Sequence, residues 1–75
     1  MEIASAFGMV IRELRSEAGL TQEQLGFEAD LRRTFISVLE LGQQQPTLTT
    51  IFKLAKALKV PASKIIGLVE IALGL

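Results

Sequence analysis

Leu20-Thr-Gln-Glu-Gln-Leu-Gly-Phe-Glu-Ala-Asp30-Leu-Arg-Arg-Thr-Phe-Ile-Ser-Val-Leu-Glu40-Leu-Gly42 is the stretch that decides the fold. Thr21 followed by Gln24 is a capping box. The threonine hydroxyl can accept from the Gln24 amide while the glutamine side chain reaches back to the Thr21 amide. Leu20 before the cap and Leu25 at the fourth helical position form a hydrophobic staple that fixes how the chain enters the helix. The spacing predicts a helix from Thr21 to about Ala29. Asp30 stands where the chain must turn, and Asp tolerates left-handed backbone better than most residues. A second helix follows, with Leu31, Phe35, Ile36 and Leu39 at helical spacing, and Gly42 ends it. Two short helices joined by a three- to four-residue corner make a helix-turn-helix.

The rest of the chain surrounds that unit with further helices. Ile3, Phe7, Val10, Ile11 and Leu14 form one apolar stripe, so a first helix is predicted from about Ala4 to Ala18, stopped by Gly19. Thr47 can cap a helix over Leu48–Lys59, whose predicted inner face is Leu48, Ile51, Leu54, Ala55 and Leu58. Lys53, Lys56 and Lys59 point outward, and Val60-Pro61 breaks the helix. A last helix, about 62–74, is apolar on more than one face, whereas a surface helix needs only one stripe. One face can close the core, and the excess suggests an interface. The predicted fold class is all-α, a single compact domain of five helices over residues 1–75, with the helix-turn-helix at about 21–41.

Composition narrows the function. With 75 residues, one domain is the reasonable count. Neither Cys nor His occurs, which argues against disulfides and a zinc site. No Gly-rich phosphate loop appears, and the Ser and Thr residues lack an obvious neighbouring base, so enzymatic chemistry has no support. No cofactor is implied. The run Ile65–Leu75 is too short to span a bilayer and contains Glu70. No basic secretory n-region is visible, and a soluble cytoplasmic protein is expected. Eight basic residues balance eight acidic ones, which argues mildly against nucleic-acid binding. Charge placement matters more, because Arg32 and Arg33 cluster at the start of the second motif helix.

The stretch resembles the lambda-repressor/Cro (XRE-type) family of helix-turn-helix DNA-binding domains. The resemblance rests on Gly19-Leu20-Thr21-Gln22, Leu25, Ala29, Leu31, Ile36-Ser37, Leu39-Glu40 and Gly42. Pro46 and Ile51–Val60 extend it to about residues 7–66. Arg32-Arg33-Thr34 before an aromatic also resembles the small controller proteins of restriction–modification systems. The resemblance implies a compact lambda-repressor-like fold and a transcription regulator binding double-stranded DNA as a homodimer on a palindromic or pseudo-palindromic operator. A recognition helix of about 33–41 would lie in the major groove. Arg33, Thr34, Ser37 and Val38 would then contact bases. Gln22, Arg32, Gln43 and Gln44 would contact the DNA backbone, and Arg15 and Glu40 would pair to tie the first helix to the end of the third. Phe35 packs inward or sits at the DNA edge. Ile65, Leu68, Val69, Ala72 and Leu73 are the expected dimer interface. Two departures stand out: Gly26 replaces the usual Ala, and Asp30 replaces a common Gly. Arg32 occupies a cap position where it cannot accept the capping bond. No small-molecule effector is evident. The competing function is an antitoxin-like or other partner-binding module with the same fold, its last helix serving a different protein.

Overall fold

The computed structural model describes all residues 1–75. It contains five helices and no strand: α1 (Ile3–Glu17), α2 (Gln22–Ala29), α3 (Arg33–Glu40), α4 (Leu48–Leu58) and α5 (Ala62–Ala72). The α1 stripe supplies Phe7, Val10, Ile11 and Leu14 to the interior, joined by Ala6. Around it close Leu25 and Ala29 of α2, Ile36 and Leu39 of α3, Leu54, Ala55 and Leu58 of α4, and Ile65 and Val69 of α5. The α1 helix packs against both α3 and α5, while α2 packs against α3 and α4. It is therefore the shared neighbour of the third and fifth helices.

Helix starts follow local chemistry. Thr21 Oγ1 accepts from the Gln24 amide at 3.0 Å, and Gln24 Oε1 accepts from the Thr21 amide at 2.9 Å, which completes the capping box. Thr47 caps α4 by accepting from the Thr50 amide at 3.1 Å. Arg32, at the start of α3, makes no side-chain capping bond. Asp30 does not substitute for it, because Asp30 is committed to left-handed backbone at φ 56°.

All five helices end the same way. An amide two residues past the last turn reaches back five residues: Leu20 to Arg15, Leu31 to Gly26, Gln43 to Val38, Val60 to Ala55 and Leu75 to Glu70, at 2.8–3.1 Å. The residue before each of these amides has positive φ, the geometry of a Schellman ending. Lys59 takes that role for α4 at φ 59°, so the helix stops one residue earlier than the predicted Lys59.

Three expectations about burial are corrected. Ile3 lies in the first turn of α1 and is exposed. Leu48 is exposed too, on a flank shared with Phe52 four residues on, while Thr50 turns inward and is buried. In α5, Ile65 and Val69 are at most 7 % exposed and belong to the core. Their side chains are not free to meet a partner. The apolar side chains left outside are Ile66, Ile71 and Leu75.

The α2–α3 corner depends on Gly26. A β-carbon there would stand 2.6 Å from the Leu31 carbonyl oxygen and 3.3 Å from the Arg33 amide nitrogen. Backbone is what it would meet, and backbone cannot rotate away. Gly26→Ala is expected to lower stability by about 1–3 kcal/mol, read as a lower urea midpoint with an unchanged slope. An unchanged midpoint would mean that the corner relaxes freely.

Candidate nucleic-acid interface

The end of α1, the first turn of α2 and the end of α3 meet at one carboxylate. Arg15 Nε donates to Glu40 Oε2 at 2.6 Å and Arg15 Nη2 donates to Glu40 Oε1 at 3.0 Å, a bidentate pair. Arg15 Nη1 donates to the Leu20 carbonyl at 2.9 Å, and Gln22 Nε2 donates to Glu40 Oε1 at 3.1 Å. Side-chain exposure is 16 % for Arg15 and 4 % for Glu40. The hydrogen bonding of Arg15 to Glu40 raises the Arg15 pKa, desolvation opposes that, and the charge of Glu40 adds to the rise. A raised arginine pKa means that its contribution is complete below the ordinary guanidinium range and is lost only above it. The arginine stays charged at every working pH.

Beside this pair lies an open polar cleft of about 430 Å³ lined by Arg15, Thr21, Gln22, Glu23 and Arg33. The amides of Gln22 and Glu23 are not among the donors of backbone or side-chain bonds, as expected of a first helical turn. The Gln22 side chain, assigned to the DNA backbone from sequence, is half-buried and already donates to Glu40. Its second amide hydrogen and its backbone N–H remain available. The amides of Arg33 and Thr34 are likewise unpaired in the first turn of α3.

Other site residues fall as follows. Arg32, Arg33 and Thr34 are exposed, and Ser37 and Val38 are half-buried further along α3. Gln43 and Gln44 are exposed on the loop before α4. Phe35 is partly buried against the core, which settles its ambiguity in favour of packing. The structure thus brings Gln22 and Arg33 to one cleft, while Arg32 lines a separate one with Gly26, Phe27, Asp30 and Leu31. Leu68, Ala72 and Leu73 on α5 are half-buried against the core. Two features escaped the sequence. One is the bond from Gln22 to Glu40, since no local spacing reports a contact across eighteen residues. The other is which apolar side chains of the last segment stay outside, Ile66, Ile71 and Leu75, which the apolar excess in α5 hid.

Comparison with known proteins bears on the fold and the family. A family model described as helix-turn-helix matches residues 11–65. The control protein C.BamHI of Bacillus amyloliquefaciens is 46% identical over 55 residues, covering 72% of this chain and 68% of the relative. The control protein C.SmaI of Serratia marcescens is 35% identical over 66 residues, covering 88% of this chain and 79% of the relative. Among solved structures, the restriction–modification controller protein C.AhdI from Aeromonas hydrophila superposes with a TM-score of 0.81 at 39% identity, covering 83% of this chain and 94% of that one.

Removing one partner of a buried pair strands the other charge. Arg15→Met is expected to cost about 3 kcal/mol, the lower end of the range for such pairs because one edge of the guanidinium meets water. The double variant Arg15→Met/Glu40→Met should recover most of that loss. Chemical denaturation of the three proteins tests this, and equal stability of the single and double variants would refute it.

Proposed function

Because the chain belongs to the helix-turn-helix family, we propose that it is a sequence-specific transcription regulator that binds double-stranded DNA as a homodimer on a pseudo-palindromic operator. The observation that carries this is the pairing of two helix starts. Unpaired backbone amides of α2 and α3 sit beside Gln22 and Arg33. Such amides bind phosphate, and α3 presents its first turn to the major groove.

Arg33 is the principal base reader. A guanidinium can bond guanine O6 and N7 together, worth about 1–3 kcal/mol of discrimination. Thr34 and Val38 offer methyl groups to thymine, and Ser37 offers a hydroxyl. Arg32, Gln43 and Gln44 hold the backbone. Glutamines bond phosphates without replacing cations, so the salt dependence is shallow. With ~6 phosphates neutralised per dimer, the log–log slope is about −5. The control proteins C.BamHI and C.SmaI support placing this chain among controllers of restriction–modification genes.

The dimer forms through the outward face of α5. Ile66 and Ile71 of α5 are 42 % and 72 % exposed, and Leu75, just past the helix end, is 85 % exposed. A two-fold contact there would set the recognition helices about 34 Å apart, one turn of DNA.

Selection from a random duplex pool, run beside Arg33→Ala, tests the DNA claim. An inverted repeat is expected, with one base position relaxed in the variant. No enrichment at low salt by a folded protein would refute the claim. Ile71→Asp tests the interface: its side chain is exposed, so the variant should fold yet sediment as a monomer. An Ile71→Asp protein that remains dimeric would move the interface elsewhere.

A further inference from the structure

The α1 helix touches both the recognition helix and the helix assigned to the dimer. Its contact with α3 is made by backbone at Gly8, which is fully enclosed. A β-carbon at Gly8 would overlap the Leu39 carbonyl oxygen and stand 2.7 Å from the Glu40 carbonyl oxygen. The last carbonyls of α3 therefore rest directly on the α1 backbone. Toward the start of α1 the seam continues to the surface, where the Ser5 Cα lies 2.9 Å from where a β-carbon on Gly42 would stand. Arg15 closes the other end of α1 onto Glu40.

We infer that Gly8 is a positioning residue for DNA recognition: it seats the C-terminal end of α3 on α1, and α1 carries that placement to α5, so the α1–α3 seam sets the half-site spacing that the dimer accepts. This rests on the DNA-binding dimer described above. Backbone abutting backbone leaves no soft side chain to absorb an added methyl group. A methyl at Gly8 must lift α3 from α1 and re-aim Arg33, Thr34 and Ser37 relative to the two-fold axis. Recognition groups tolerate errors of only about half an ångström. Position 8 itself touches no DNA, being covered by α3.

The test uses the full chain and duplexes carrying the selected inverted repeat at its best spacing, and at one base pair longer or shorter. Wild-type protein is expected to prefer one spacing. In Gly8→Ala the advantage of that spacing should fall roughly tenfold, while Arg33→Ala lowers affinity without altering the spacing profile. Destabilisation alone cannot mimic this result, because a smaller folded fraction weakens all three duplexes equally. Where Gly8→Ala does not fold, Ser5→Leu decides: Ser5 is exposed, so a leucine there wedges the same seam from its solvent end. A folded Gly8→Ala or Ser5→Leu protein with the wild-type profile overturns the inference. Failure of the wild-type protein to bind any duplex would instead remove the DNA-binding reading itself.

Discussion

Glu40 accepts from Arg15 twice and from Gln22 once, and Arg15 also holds the Leu20 carbonyl. One carboxylate thus joins the end of α1, the α1–α2 corner, the start of α2 and the end of α3. An acidic residue in the last helical turn opposes the helix dipole, and burial adds a desolvation cost. Glu40 carries both penalties, so its partners must offset them. The planar guanidinium fork does this with two parallel bonds and admits only a narrow range of helix placements. A lysine could neutralise the charge but would not fix the angle. The pair acts on geometry at least as much as on stability, and the geometry it fixes is that of the recognition helix against the rest of the domain.

That role gives the neutral composition a physical meaning. Eight basic residues oppose eight acidic ones, and Arg15 is taken by Glu40. Arg32 and Arg33 are the only cations on the two helix starts. Four lysines lie between Lys53 and Lys64, with no acid between Glu40 and Glu70, yet they belong to α4 and the start of α5. Backbone amides must then supply much of the attraction for phosphate. Amides act only at short range and only when aimed, whereas long-range charge steers partners from a distance. A regulator built this way gains more from precise helix placement than a strongly basic one does.

Local rules were legible where they act over a few residues. Thr21 with Gln24, Thr47 before α4 and Asp30 at the corner each declared their role, because capping and left-handed turns are decided within four residues. Arg15 and Glu40 became legible together only through family resemblance. Long-range facts were not written in spacing. Ile65 and Ile71 look equivalent in sequence, yet one is enclosed and the other open. Which face of an all-apolar helix turns inward depends on how its neighbours approach. Leu48 fits the helical period as well as Ile51, but the core reaches α4 from the side of Leu54 and Leu58. Periodicity identifies a stripe and leaves its centre undetermined when apolar residues flank it on both sides.

The small core explains why so much apolar surface remains. A domain of this size encloses only a fraction of its chain, and fourteen apolar residues make up the interior here. Phe27 on α2 stands exposed singly, and isolated apolar side chains are ordinary on protein surfaces. The α5 side chains differ in arrangement. Ile66 and Ile71 stay outside on a helix whose Ile65 and Val69 are sealed against the core, and Leu75 stands exposed just past its end. The sealed side chains are satisfied by folding, and in the proposed dimer association would cover the rest. Association through α5 would reach α3 by way of α1, which packs on both. In the proposed dimer, the placement of α5 and that of α3 would be coupled along a single helix.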